Sequence, residues 1–493
     1  MIREMMSYFK NKKGLLGSLY AIILIGYIIS QLPFLNADAD LIMATGSRGS
    51  WTDEGLNTCQ IRNFVNHGHF NLLDSDNFLK TPFFSLFLFP FFKLFGISML
   101  RARLITVLFC ATLLLMFFIR KITLFIGVVF VVTTMMLFPI HQYSHLCLAE
   151  MYSSILIVVS ALVYSFYFRE NRYLPLVLLF ALLSLSVLFK IQFIYVLAIP
   201  LLIKMADYIL DRSIANRNQL IAACIILICV VFGIVFILYM PFKEAWLQIA
   251  KQQSGTFSLE TITVDLIWEN LKLNFLSKRY LMFTVFFVFS FFIAIKHIVS
   301  KQHPKEYLTL LMVSVSWIIV ELHKLGFTYL PIRYLISFYL SMGFLMSVVM
   351  GYYLSQAKFL HRSIAISCLL AMFLMNSYFY KQAFFSRSYT VQKMNSYFQK
   401  LTSEKDVVIG PWAPSFTWET KCFSYPIWAN FLGDRDIIKY YRPDFIVSEY
   451  NQKDSGFAYK KNDINLDDLC DSLTQAKVAF WKVNVYLVKK QIR

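Results

Sequence analysis

Eleven continuously apolar runs mark the first 380 residues, at roughly 15–35, 98–119, 122–140, 151–168, 173–189, 191–209, 219–241, 280–295, 307–322, 328–354 and 363–380. Each meets or approaches the ~20 residues a helix needs to cross a bilayer. None alternates apolar with polar positions as a barrel strand does, and a helix satisfies its own backbone hydrogen bonds in hydrocarbon. The pattern predicts about eleven transmembrane helices. One further apolar stretch, Pro82–Phe95, is short for a span. It is expected to form a juxtamembrane or re-entrant helix, because a crossing there would invert every later loop and reverse the charge pattern.

After residue 380 the pattern becomes mixed. Short β-rich runs at 407–409, 445–447 and 478–488 alternate with helix-compatible segments such as 465–475, and turn signals stand at 410–411, 413–414 and 454–456. This predicts a transmembrane domain over 1–380 and a soluble α/β domain over 381–493. With eleven spans between them, the N-terminus and the C-terminal domain lie on opposite sides of the membrane.

Composition agrees with a membrane protein. The 493 residues are 58% hydrophobic and 15% charged, with a mean hydropathy of +0.58, against about 45–50% apolar and about 25% charged for soluble domains. A net charge of +18 would suggest nucleic acid in a soluble protein; here it is expected at membrane faces, with no nucleic-acid partner. Arg3, Lys10, Lys12 and Lys13 place the N-terminus in the cytoplasm by the positive-inside rule, and the C-terminal domain is then extracytoplasmic on an inner, cytoplasmic membrane. The inward segments hold 16 of the 30 basic residues before position 381, and the outward ones 12 of the 17 acidic residues. Ionisable groups available for chemistry therefore face out. Eight cysteines form no CxxC pair; Cys422 and Cys470 are left open between pairing and remaining free.

The first outward loop, with the juxtamembrane helix spanning 36–97, carries the richest set of polar residues. Residues 51–55 read as a helix start with Thr52 or Asp53 as the cap and Leu56, Ile61, Phe64 and Val65 as its apolar face. On spacing alone Asp53 is either that cap, with Glu54 favoured by the helix dipole, or a carboxylate held for catalysis. The order Asp53-Glu54, Gly68-His69-Phe70, Lys80-Thr81-Pro82, Leu94-Phe95-Gly96 and Arg101-Ala102-Arg103 resembles the GT-C glycosyltransferases of the protein O-mannosyltransferase and aminoarabinose-transferase type. The resemblance is densest over 50–120, with Thr81 standing where that family has Pro.

The resemblance implies an enzyme that moves a sugar from a polyprenyl-phosphate donor to an acceptor hydroxyl on a lipid, glycan or protein. The reaction inverts the anomeric carbon, with Asp53 as base and Glu54 beside it. Glu150 stands where the family's second acid, usually Asp, is found. Lys80, Arg103, Lys190, Lys324 and Arg333 form an outward cationic edge suited to the donor phosphate, although basic side chains at span ends also snorkel without special function. Residues 327–334 resemble the family's late span that approaches the lipid phosphate. The resemblance implies no metal requirement; His67 and His69 with Asp74 and Asp76 are a weak ligand pattern. His141 and His145, four apart, share a helix face if that segment is helical. No phosphate-binding glycine loop is present, in keeping with a lipid-linked donor. Two alternatives remain: a polytopic secondary transporter, or a non-catalytic polysaccharide-assembly protein whose C-terminal domain binds a partner.

Overall fold

The computed structural model describes residues 13–43, 47–167, 173–253, 262–356, 358–434, 436–449 and 453–489. Arg3, Lys10 and Lys12, the basic loop at 169–172 and Glu260, all used in the charge argument, lie outside them. Among the described residues nine helices are long and apolar enough to cross a membrane: Gly14–Phe34, Met99–Phe118, Ala149–Tyr167, Ile191–Leu210, Ile214–Lys251, Leu281–Ser300, Lys305–Gly326, Ile332–Ser355 and Phe359–Leu401. They fall on nine of the predicted runs. The other two runs are the shorter apolar helices Lys121–Met135 and Leu174–Phe189. The stretch Pro82–Phe95 forms a 14-residue helix of its own. Residue 380, the expected domain boundary, falls inside the helix Phe359–Phe385.

Ala149–Tyr167 and Ile332–Ser355 run through the middle of the bundle and are buried along nearly their whole length, whereas Ile214–Lys251 is almost entirely peripheral. Small residues explain the central placement. Gly343, Ser347 and Gly351 repeat at four-residue spacing on one face of Ile332–Ser355, the arrangement that lets membrane helices approach closely. A Cβ on Gly351 would stand 2.8 Å from the Ile126 backbone nitrogen, and one on Gly343 would strike Thr134. The helix Lys121–Phe130 seats on that strip. Ser153 and Ser186 exchange hydroxyl-to-carbonyl hydrogen bonds of 2.9 and 2.8 Å, tying Ala149–Tyr167 to Leu174–Phe189.

The polar connections gather at the two ends of the bundle. At one end Arg120 pairs with Glu306 at 2.9 Å. At the other, the loop helix Gly49–His67 and the C-terminal domain pack together. That domain begins with the helix Thr390–Leu401, whose first turn is capped by Asp38 of the first loop: its carboxylate accepts from Thr390 N at 2.7 Å and Val391 N at 2.9 Å. A five-stranded sheet follows, comprising β1 (Val407–Ile409), β2 (Phe423–Tyr425), β3 (Phe445–Ser448), β4 (Cys470–Val478) and β5 (Trp481–Val488), in the order β2-β1-β3-β5-β4. The β2-β1-β3 part is parallel and β3-β5-β4 antiparallel.

Three local expectations are corrected. Residues 465–475 are not one helix: Leu466–Leu469 makes a single turn and β4 starts at Cys470. The run 478–488 is broken by a hairpin turn at Ala479 and Phe480. The turn signal at 454–456 lies inside the helix Lys453–Lys461. Cys422, just before β2, and Cys470 in β4 stand at opposite edges of the sheet, four strand spacings or ~19 Å apart, and both are free. A disulfide bridges Cα atoms only up to ~7 Å apart.

Candidate active site

The loop helix begins at Gly49, earlier than expected, because the Ser47 hydroxyl accepts from Gly49 N at 3.1 Å. Asp53 is therefore five residues inside the helix and does not cap it. Its carboxylate instead meets the Arg333 guanidinium, Nε to Oδ2 at 3.2 Å, while Arg333 Nη1 donates to Ser47 Oγ at 2.8 Å. Gly49 makes room for this crossing: a Cβ there would collide with the Arg333 guanidinium and stand 2.8 Å from Asp53 Oδ2. The Asp53 side chain keeps 17% of its surface exposed and that of Arg333 13%. Burial pushes the Asp53 carboxyl above its ordinary range. Arg333 pulls it back most strongly, followed by Lys190 and Arg48, and the negative charge of Glu150 adds to the rise.

Three further expected residues join this centre: Glu150, Lys190 and Lys324. Glu150, at the start of Ala149–Tyr167, pairs through Oε1 with Lys190, and its buried Oε2 has no hydrogen-bond partner among the described residues. The Lys190 ammonium lies 5.8 Å from the Tyr334 ring centroid. Lys324 donates to the Tyr334 carbonyl at 2.7 Å and pairs with Glu321 at 2.5 Å. Residues 333–334 thus link three ion pairs: Asp53 with Arg333, Glu150 with Lys190, and Glu321 with Lys324.

Glu54, Arg103 and Lys80 are held elsewhere. Glu54 turns to the other side of the loop helix, where Arg103 grips its carboxylate at 2.6–3.2 Å and Cys147 N donates at 2.7 Å. The remaining Arg103 nitrogen donates to the Phe34, Leu35 and Ala37 carbonyls, so both side chains are sealed in the interior. Lys80 pairs with Asp76 at 3.0 Å and lies 5.0 Å from the Phe431 ring centroid. The other Asp76 oxygen accepts from Leu432 N at 2.9 Å. This places Lys80 at the junction between the loop and the C-terminal domain.

Several participants were missing from the sequence-based set. Arg48 donates to Glu449 at 2.9 Å, and Trp412 Nε1 donates to the second Glu449 oxygen, so the C-terminal domain holds the residue that precedes the loop helix. Tyr143 shares a 2.9 Å hydrogen bond with Ser50. Glu321 accepts from Tyr195, Trp317 and Ser337 at 2.5–3.1 Å. A carboxylate inside an apolar run was a legible signal for Glu321. Glu449 gave none, since its partner is 401 positions away.

The histidines have local partners. His69 meets Asp74 at 3.3 Å, and His67 stacks on Phe423 with centroids 3.8 Å apart. His141 contacts Ser30 Oγ at 3.1 Å and His145 contacts Gln31 Oε1 at 2.8 Å. No group of three or more His, Cys, Asp or Glu able to hold a metal occurs among the described residues.

The domain junction is built from the loop helix. Arg62 Nη2 donates to the Pro414 carbonyl at 2.7 Å, and its guanidinium lies 4.3 Å from the Trp418 ring centroid. Asn63 exchanges hydrogen bonds of 3.0 and 3.2 Å with the Ser424 backbone, extending the free edge of β2.

No protein-family model and no curated protein sequence matches the chain. Solved structures do. ArnT from Cupriavidus metallidurans in the apo state superimposes with a TM-score of 0.62 at 11% identity, covering 97% of this chain and 99% of that one. The same protein bound to undecaprenyl phosphate gives 0.58 at 11% identity over 97% and 98%. The Archaeoglobus fulgidus oligosaccharyltransferase, tethered to an acceptor peptide containing the NVT sequon, gives 0.53 at 10% identity over 87% and 69%. The chain is a polytopic membrane protein with the fold of ArnT, and its Asp53–Arg333 centre lies where the loop helix meets the transmembrane bundle.

Proposed function

We propose that the protein is a glycosyltransferase that takes a sugar from a polyprenyl-phosphate donor and transfers it, with inversion, to an acceptor hydroxyl at the extracytoplasmic face of the cytoplasmic membrane. The observation that carries this reading is the convergence of Asp53 with Arg333, Lys190 and Lys324 at one end of the bundle, in the fold of a protein described bound to undecaprenyl phosphate. A partly exposed carboxylate with a raised pKa is suited to accept a proton. Cations around residues 333–334 are suited to a phosphate.

In this mechanism Asp53 accepts the proton of the acceptor hydroxyl as its oxygen bonds to the anomeric carbon. The bond from that carbon to the phosphate oxygen breaks on the opposite face, and the polyprenyl phosphate leaves with the electron pair. Arg333, Lys190 and Lys324 stabilise its growing charge. Glu150 orients Lys190, and Lys80 meets the donor from the domain junction. Glu54 and Arg103 fix the loop helix from inside and act through Asp53's position. Residues 1–380 hold the lipid donor and residues 381–493 present the acceptor.

The test is a reconstituted assay with a tail-labelled undecaprenyl-phosphate sugar. The protein is expected to bind it and, with an acceptor extract, to release labelled undecaprenyl phosphate. A protein that never binds the donor contradicts the class; one that binds it, but never releases it with any acceptor, contradicts catalysis.

A further inference from the structure

At the end of the bundle away from Asp53, a groove of about 470 Å³ opens between the first span, the helix Lys121–Phe130, the end of Ile332–Ser355 and the start of Phe359–Phe385. Its volume falls in the usual ligand-site range of roughly 300–1,000 Å³. Leu354 is 21 residues beyond Arg333 on one helix, a rise of roughly 32 Å, so the groove is separate from the centre described above. Its walls are apolar, including Leu16, Phe125, Leu354 and Leu369, and among the described residues the ionisable groups lining it are Lys121 and Arg362, both cationic.

Arg120, beside Lys121 in sequence, is committed to protein acceptors, Glu306 at 2.9 Å and the Phe166 carbonyl at 2.8 Å. Arg362 differs: the side chain is half-buried, and its buried Nε has no hydrogen-bond partner among the described residues. A buried charged donor without an acceptor is costly, and a phosphate oxygen is the strong acceptor that a guanidinium fits. Lys121 adds a point charge at the same groove.

We propose that this groove binds an anionic phospholipid, with its phosphate at Arg362 and Lys121 and an acyl chain lying along the apolar seam. Charge complementarity selects this occupant: a zwitterionic lipid brings its own cation to a place that already holds two. In the orientation given above the groove opens to the cytoplasmic leaflet, where anionic lipids concentrate and each basic residue adds to their attraction. The proposal does not depend on the transfer reaction.

The test is native mass spectrometry of the full-length protein offered equimolar phosphatidylglycerol and phosphatidylcholine with matched chains, with inorganic phosphate as a third arm. The wild-type protein is expected to retain phosphatidylglycerol with about tenfold preference or more. Lys121→Gln with Arg362→Gln should remove the preference. Leu19→Trp, which fills the groove and keeps both cations, should lower retention even if the double variant fails to fold. Equal retention of the two lipids by the wild type, the outcome expected of snorkelling alone, overturns the proposal. So does a preference that survives both variants, or displacement of the lipid by millimolar inorganic phosphate, which would mark a simple ion site.

Discussion

Asp53 and Glu54 are neighbours in sequence and strangers in space. Successive residues on a helix do not face the same way, so one carboxylate meets Arg333 and the other Arg103. The sequence showed that acids and bases were concentrated in this loop, but not which partner each would take. Arg333 is 280 positions from Asp53, and no local spacing encodes that pairing. The two carboxylates should consequently fail differently. Glu54→Gln leaves Arg103 buried without its counter-charge and is expected to destabilise the fold by about 3–5 kcal/mol, read as a lowered unfolding midpoint in detergent. In the proposed mechanism Asp53 governs the pH profile. Its raised pKa means that activity, which needs the carboxylate ionised, is lost as pH falls through a value above the ordinary ~3.9. Arg333 holds that value down, so in Arg333→Gln the residual activity should show its acid limb moved to higher pH. An unmoved limb would separate Asp53 from the proton transfer.

At the scale of elements, the loop helix bridges bundle and domain, and two glycines set its fit. Gly49 lets Arg333 cross the helix start, and Gly55 lets the helix lie against the Pro414–Ser415 backbone, which a Cβ would meet at 2.5–2.7 Å. Gly49→Ala should push Arg333 aside and lower turnover by tenfold or more, since a shift of about 1 Å can cost about 10²-fold; unchanged turnover would show that the crossing is not needed. Apolar helices were legible because hydrophobicity over ~20 residues is a long signal, and the helix Pro82–Phe95 was legible from its length. Edge strand β4 was not. Its Asp-Ser-Leu-Thr-Gln-Ala-Lys sequence, exposed except at Thr474 and Ala476, lacks a strong alternation, as suits a sheet edge protected from pairing. The β4–β5 turn uses Ala479 at a φ of 52°, where a turn signal such as Asn-Gly was absent. The cap expected at Thr52 or Asp53 is not formed because the helix starts one turn earlier, at Gly49 with Arg48 in the cap position.

Across the whole molecule, the C-terminal domain does more than sit beside the bundle. Glu449 holds Arg48, Asp38 caps the domain's first helix, and Asn63 extends its sheet. The compositional shift near residue 380 made a second domain legible, but not its grip on the loop helix, which rests on pairs more than 340 positions apart. Asn63→Ala should loosen this grip. Increased hydrogen exchange in both β2 and the loop helix is expected, and a change confined to one of them would argue against coupling. The proton-accepting role of Asp53 is tested by comparing donor binding with single-turnover transfer in Asp53→Asn. The variant is expected to fold and to bind a polyprenyl-phosphate sugar at near wild-type affinity, while transfer falls by at least about 10²-fold. Transfer at the wild-type rate in that variant would contradict a role for Asp53 as the base.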